Sequence, residues 1–409
     1  MTILYLSLNG VTDHIGRSQI APYVLGLAAR GYRMHLLSAE KAGRDKLIAD
    51  YQRCFDRAGV KWTRVRYRNT PPLISTLGVL GGMYLEARRI VKCEAVRVVH
   101  CRSHLPATLG RLLKKSQGTK YIFDFRDFWA DGGLQTKRFK FVYRYFKRKE
   151  QDLVRDADHV VCLTAPARNL LADRYLADRP EAASAFGVVP CCADFDLFNL
   201  ANVSEIDRAK ARHRAGLQSE SCVLLYVGSL GADYLLDEMY KLFRQLLAIR
   251  SDAVFLFVAN NGQELIERAR IERGIPARNV RFVTADRAEV PVFISLADLS
   301  VMFIRPGSSK IGCSPTKLAE LFACNVPIIA NSGVGDLDSI LALDRNNSVA
   351  VRDFSEETLR KALLDVLHAR ETSKVDIRAN SREFRLETGV GLYAKVYEGL
   401  LRDGSGVKS

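Results

Sequence analysis

Short apolar runs alternate along this chain with longer stretches in which apolar residues return every three or four positions. The runs Ile3–Leu8, Met34–Ser38, Trp62–Arg66, Val96–Cys101, Tyr121–Phe125, His159–Leu163 and Phe186–Val189 have strand length. Continuous apolar runs of this kind suit strands covered on both faces. Between them, near 18–30, 44–58, 75–93, 106–116, 138–156 and 166–176, the spacing predicts helices. A second series places strands at Cys222–Gly228, Val254–Val258, Val280–Val283, Leu299–Ile304 and Val326–Ala330, with later helices at 355–371 and 376–402. Regular alternation predicts parallel sheets with helices on both faces, so the expected fold class is α/β with two doubly wound domains. The polar stretch 192–220 breaks the pattern. It divides the chain into 1–195 and 196–385, with 386–409 as a final helix packing back on the first domain and a frayed tail from Asp403.

A length of 409 residues agrees with two domains. Hydrophobic content of 48% fits a globular chain, and no apolar run reaches the ~18 residues of a membrane helix. The opening Met-Thr-Ile-Leu-Tyr-Leu-Ser-Leu lacks a basic segment and turns polar at once, so it is expected to be a first strand and not a signal peptide. The nine cysteines include no C-x-x-C spacing and read as small core residues of a cytoplasmic protein, with neither a disulfide framework nor a metal site. Net charge is +15, which calls for an anionic partner: nucleic acid, an acidic membrane surface or a phosphorylated substrate.

Ligands of open α/β sheets bind outside the carboxyl ends of the strands, so the residues following each strand are the candidates. After the first strand, Gly10 to Gly16, Arg17 and Ser18 form a glycine-bearing loop, with Ser18 expected to cap the next helix. It is not G-x-G-x-x-G, and no acidic residue is expected to end the second strand, so no nicotinamide cofactor is implied. His100, Arg102 and His104 crowd one strand end. Asp124, Arg126, Trp129 and Asp131 crowd the next, a mixture of carboxylates and aromatic faces that suits sugars and equally suits a structural Arg–Asp pair. In Lys137–Arg155, eight basic residues face only Glu150 and Asp152. Phe139, Val142, Tyr143, Phe146 and Leu153 make its apolar face, and Phe141 and Tyr145 fall opposite, among Arg144 and Arg148. That face is a solvated basic surface, a membrane contact or a base-stacking platform.

In the second half, Gly228 and Ser229 end a strand, and Arg305 to Lys310 follow another. Ser314 is the expected N-cap of a helix with Pro315 at its first position and Leu318, Leu321 and Phe322 on its apolar side. Thr316, Lys317 and Glu320 lie away from that side. A helix N-terminus disfavours a lysine unless an anion is bound there, and Glu320 could bond a ribose diol.

Taken in order, Gly16-Arg17-Ser18-Gln19, Leu27–Tyr32, Asp124–Trp129, Ala157–Thr164, Val189–Asp194 with Phe198, Val227–Leu230 and Ser314–Pro327 resemble the family 4 (group 1) glycosyltransferases. The resemblance implies the GT-B fold: two Rossmann-like domains, acceptor and nucleotide-sugar, with a donor cleft between them. It also implies metal-independent, retaining transfer from a nucleotide-sugar, which is a substrate and not a cofactor. By the same resemblance Glu320 matches the ribose-binding glutamate, Pro315 to Lys317 the segment whose amides meet the diphosphate, and Gly16 the N-terminal glycine loop. His100 and Arg102 match the donor-facing His segment, and with Asp124 and Arg126 they are the candidate catalytic residues. Gly16, Arg17, Gly228, Ser229, Arg305, Lys310, Ser314, Pro315, Thr316, Lys317 and Glu320 are the candidate donor-binding set. Trp129, Asp131, Phe141, Arg144, Tyr145 and Arg148 are the candidate acceptor or membrane residues.

Three positions depart from the family pattern: Gly312 where a second glutamate is frequent, no Arg–Lys pair after Gly228, and Arg102 for the second His of His-x-His. Lys317 with Arg305 or Lys310 is therefore expected to meet the diphosphate. The expected acceptor is lipid-linked or a glycan intermediate, and the location cytoplasmic or peripheral at the inner face of an anionic membrane. A sugar-nucleotide epimerase on the same fold is the alternative. A nucleic-acid-binding protein is another, disfavoured because no binding module is present.

Overall fold

The computed structural model describes residues 1–135 and 140–402 and divides into two compact units. The first comprises Met1–Cys191, the short piece Ile311–Cys313 and the chain from Leu386 onward; the second comprises Cys192–Lys310 and Ser314–Arg385. The division falls at Cys191, four residues before the expected 195.

In the first unit the strands are β1 Thr2–Ser7, β2 Arg33–Glu40, β3 Lys61–Arg66, β4 Val96–Arg102, β5 Lys120–Phe125, β6 His159–Cys162 and β7 Phe186–Val188. They form one parallel sheet in the order β3-β2-β1-β4-β5-β6-β7, with Ile3 beside both Met34 and Val98. Strand order reverses between β1 and β4, and there the carboxyl ends open a crevice. One face carries the helices Ile74–Cys93, His104–Gln117 and Lys140–Asp156, whose Met83, Ala87, Leu113 and Leu153 join Leu6, Val99 and Phe123 in a single core. The helix Leu386–Arg402 packs on Ala21–Ala29 and on β4.

The second unit holds β8 Val223–Val227, β9 Val254–Val258, β10 Val280–Val283, β11 Leu299–Met302, β12 Ile328–Asn331 and β13 Val349–Val351. Its parallel order is β10-β9-β8-β11-β12-β13, again reversing next to the first strand of the series. Leu224, Tyr226, Phe255, Phe257 and Val301 meet Met239, Phe243, Leu363 and Val366 of the flanking helices.

Local differences from the sequence expectations have physical causes. The helix expected over 18–30 is two, His14–Gln19 and Ala21–Ala29, and Ser18 sits inside the first, its hydroxyl donating to His14 O. The stretch 376–402 breaks into Ile377–Asn380, a 3₁₀ turn at Arg382–Phe384 and Leu386–Arg402. Strand β13 is too short to show an apolar run. Strand β2 reaches Glu40, so an acidic residue does end it. Both carboxylate oxygens of Glu40 are used within the protein, accepting from Val11 N (2.6 Å), Thr12 N (3.2 Å) and the hydroxyls of Thr12 and Ser38. Lys137, Arg138, Phe139 and the tail from Asp403 lie outside the described residues.

Candidate functional site

In the second unit, the carboxyl ends of β8, β9, β11 and β12 converge with the start of the helix Thr316–Ala323. Gly228 continues β8, donating its N–H to Val258 O, and then turns at φ +109°, a conformation natural to glycine. The Lys317 ammonium lies 3.4 Å from where a Cβ on Gly228 would stand. Lys317 Nζ donates to Tyr226 Oη at 3.2 Å and sits over the Tyr226 and Tyr234 rings at 4.3 and 4.0 Å. Two aromatic faces thus hold the cation at the strand end. Tyr226 in turn donates to Ser229 O, and Asn261 bonds both the N–H and C=O of Leu230, fixing the turn after Gly228. Asn331 joins the ends of β11 and β12 by bonding both backbone groups of Ile304.

One turn into the helix, Glu320 is 8% exposed and accepts from Arg287 at 3.0 Å. The Arg287 guanidinium lies over the Phe198 ring at 5.2 Å. Burial pushes the Glu320 carboxyl above its ordinary range, and the charges of Arg287 and Lys317 oppose that rise. Sequence reasoning missed Arg287. Its position soon after β10 was the available signal.

Pro315, not Ser314, is the N-cap, so the helix begins at Thr316 without a side-chain cap. Lys310 is paired with Asp233 at 2.8 Å. Arg305 is exposed, with its N–H on Asp233 O. Gly228, Ser229, Lys317 and Glu320 are therefore brought to one edge of the sheet.

The first-unit candidates fare differently. Gly16 lies in a helix turn pressed on the backbone, since a Cβ there would come within 2.0 Å of Gly10 O. That contact alone requires glycine. Arg17 keeps its Nε buried without a hydrogen-bond partner among the described residues. His100 and Asp124 are each 0% exposed, so both side chains are sealed from solvent. His100 Nδ1 is 2.7 Å from Tyr397 Oη and its Nε2 is 3.4 Å from Asp124. Asp124 also accepts from Tyr393 at 3.1 Å and Arg126 at 3.2 Å, with Arg102 at 3.6 Å. Arg102 and Arg126 are themselves almost wholly buried. Burial alone would raise the Asp124 carboxyl; Arg126, His100 and Arg102 outweigh it and hold it well below the usual range. Burial lowers His100, Asp124 partly offsetting the effect.

Trp129 packs its ring against His104, Tyr143 and Phe146, and Asp131 pairs with Lys147 at 2.6 Å. Phe141, Arg144, Tyr145 and Arg148 are exposed along the Lys140–Asp156 helix.

Residues 17–183 match the Glycosyl transferase 4-like domain, and residues 221–369 match Glycosyl transferases group 1. The chain belongs to the group 1 glycosyltransferases. Over 220 residues it is 25% identical to TuaH of Bacillus subtilis (strain 168), a protein named for glycosyl transfer in teichuronic acid biosynthesis. That alignment covers 52% of this chain and spans about half (50%) of the relative's length. Among solved structures, sucrose-phosphate synthase from Thermosynechococcus elongatus superposes with a TM-score of 0.71 at 16% identity, covering 98% of this chain and 99% of that one. Anabaena HepE, solved with UDP and glucose, gives 0.64 at 13% identity and 99% coverage of both chains. The catalytic domain of Arabidopsis thaliana starch synthase IV, bound to ADP and acarbose, gives 0.66 at 11% identity, covering 98% and 99%. These likenesses establish the GT-B fold of this family member.

Proposed function

We propose that the protein transfers a sugar from a nucleotide-diphosphate sugar to a hydroxyl acceptor with retention of anomeric configuration. The observation that carries this is Lys317, held between Tyr226 and Tyr234 beside the Gly228 turn, one helical turn from the buried Glu320. Lys317 and the amides at the start of its helix would bind the diphosphate, and Glu320 the ribose diol. As the bond from anomeric carbon to phosphate oxygen breaks, negative charge grows on the leaving diphosphate, and a cation already positioned stabilises it. The acceptor oxygen bonds the anomeric carbon from the same face, and its proton passes to the departing phosphate oxygen. No step calls for a metal or for a covalent sugar–enzyme intermediate. Arg305 is a further cation proposed to act on the donor. The acceptor is a lipid-linked or glycan intermediate, and TuaH, named for teichuronic acid biosynthesis, supports that class.

Calorimetric titration with UDP, GDP and TDP, followed by NMR of the product formed from the matching sugar nucleotide, tests the reading. Binding with an α-linked product from an α-linked donor, unaffected by a chelator, is expected. An inverted linkage, a trapped glycosyl-enzyme or a free epimerised sugar nucleotide would overturn it.

A further inference from the structure

One face of the first unit displays large apolar side chains that its core does not use. On the Ile74–Cys93 helix, Val79, Met83, Ala87 and Ile90 are buried, as an amphipathic helix requires. On the outer side Ile74 is 71% exposed, Leu77 68% and Leu85 65%. Gly78 and Gly81 lie in the same stripe, with open space where a Cβ would be. The stripe continues into Arg88, Arg89 and Lys92 at the helix end, and Arg66 and Arg68 precede it, all exposed. The Lys140–Asp156 helix repeats the arrangement: Phe141 is 65% exposed and Tyr145 57%, among Lys140, Arg144, Arg148 and Lys149.

These two helices lie on the same face of the sheet, with His104–Gln117 between them. Both point their first turns toward the carboxyl edge of the parallel strands. Glu94, just past the end of the first helix, pairs with Lys61 at the start of β3, and Asp158, just past the second, donates its N–H to Tyr121 at the start of β5. Ile74, Leu77, Phe141 and Tyr145 therefore rise at the edge where α/β proteins take their ligands. Acidic groups on these helices are already engaged. Glu150 is buried against His104 and Lys147, Glu86 pairs with Arg89, and Asp152 and Asp156 pair with Arg111.

We propose that this face seats on an anionic lipid bilayer, with Ile74, Leu77 and Tyr145 entering the headgroup region and the flanking cations meeting lipid phosphates. Apolar side chains ringed by positive charge, of which, among the described residues, only Arg89 and Lys149 pair with carboxylates of their own helices, suit an anionic lipid surface. A second copy of the chain would set cations against cations across a two-fold contact. Nucleic acid would use the arginines and leave the aliphatic stripe in water. Resting on the glycosyltransferase reading, the same seating would bring a lipid-borne acceptor headgroup to the carboxyl edge of the sheet.

Sedimentation of the full chain with phosphatidylcholine vesicles, with and without about one third phosphatidylglycerol, tests the docking. We expect binding at least about tenfold tighter to the anionic vesicles, weakening severalfold as salt rises through the range where screening acts. Ile74→Asp with Leu77→Asp should abolish binding while leaving the melting temperature and its response to nucleotide unchanged; Arg144→Glu with Arg148→Glu should weaken binding. Equal binding to neutral vesicles, no binding to either, or no effect of the Asp pair would overturn the proposal. So would a wild-type dimer in light scattering that the Asp pair makes monomeric. Vesicle binding by a protein that ignores every nucleotide would sink the glycosyltransferase reading and leave the docking surface standing.

Discussion

Arg287 holds Glu320 by an ion pair of 3.0 Å, although the two residues come from different strand–helix connections of the second unit. A buried carboxylate without that partner would take up a proton, because desolvation already raises it. Glu320→Gln is expected to weaken nucleotide binding by roughly ten- to a hundredfold, the range of a hydrogen bond to a charged group. The 2′-deoxynucleotide should show no further loss with this variant. Arg287→Ala should move the loss of affinity on acidification to higher pH, since the carboxyl then protonates earlier, and Arg287→Lys should restore part of it. Calorimetry across pH checks both.

The Lys317 cage makes a separable prediction. Lys317→Ala should lower kcat/KM by about a hundredfold or more if the ammonium meets charge developing in the transition state. Tyr226→Phe keeps the aromatic face and removes one hydroxyl, so its effect should be severalfold at most. Steady-state kinetics with a fixed donor distinguishes the cage from a general loss of packing, which would move the melting temperature of both variants.

Tyr397 and His100 bind the last helix to β4 at 2.7 Å, with both side chains fully buried. Tyr397→Phe leaves a buried imidazole nitrogen without that partner and should cost about 1–3 kcal/mol of stability. If His100 is structural, kcat at a temperature well below the transition should stay within about twofold. Denaturant unfolding and kinetics of the same variant decide.

Glu150 supplies a pH prediction. Its buried carboxyl, which desolvation alone would raise, is held down to about 2 by His104, Lys147 and Tyr175. A carboxyl depressed in the folded state contributes stability above its ordinary value of 4.5, and that contribution is lost as pH falls from there through about 2. Glu150→Gln should be less stable than wild type near neutrality, and the difference should shrink over that acid window. Acid titrations of the melting temperature test it.

Much of the architecture was legible in the order of residues. Buried parallel strands must be apolar on both faces and the helices between them on one, so Val223–Val227 or Val254–Val258 announce themselves locally. The glycine turn at Gly228 and the helix carrying Lys317 and Glu320 were legible too, because strand ends and helix starts have short-range signatures. What tertiary structure alone decided is which partner each buried charge has. Arg287 and Glu320 are 33 positions apart, Lys317 and Tyr226 91, and Tyr393 and Asp124 269. Desolvating a charge is unfavourable unless a compensating group arrives. Only the folded chain determines which group that is, so His100 and Asp124 read as a site in sequence and stand as a sealed cluster in the structure.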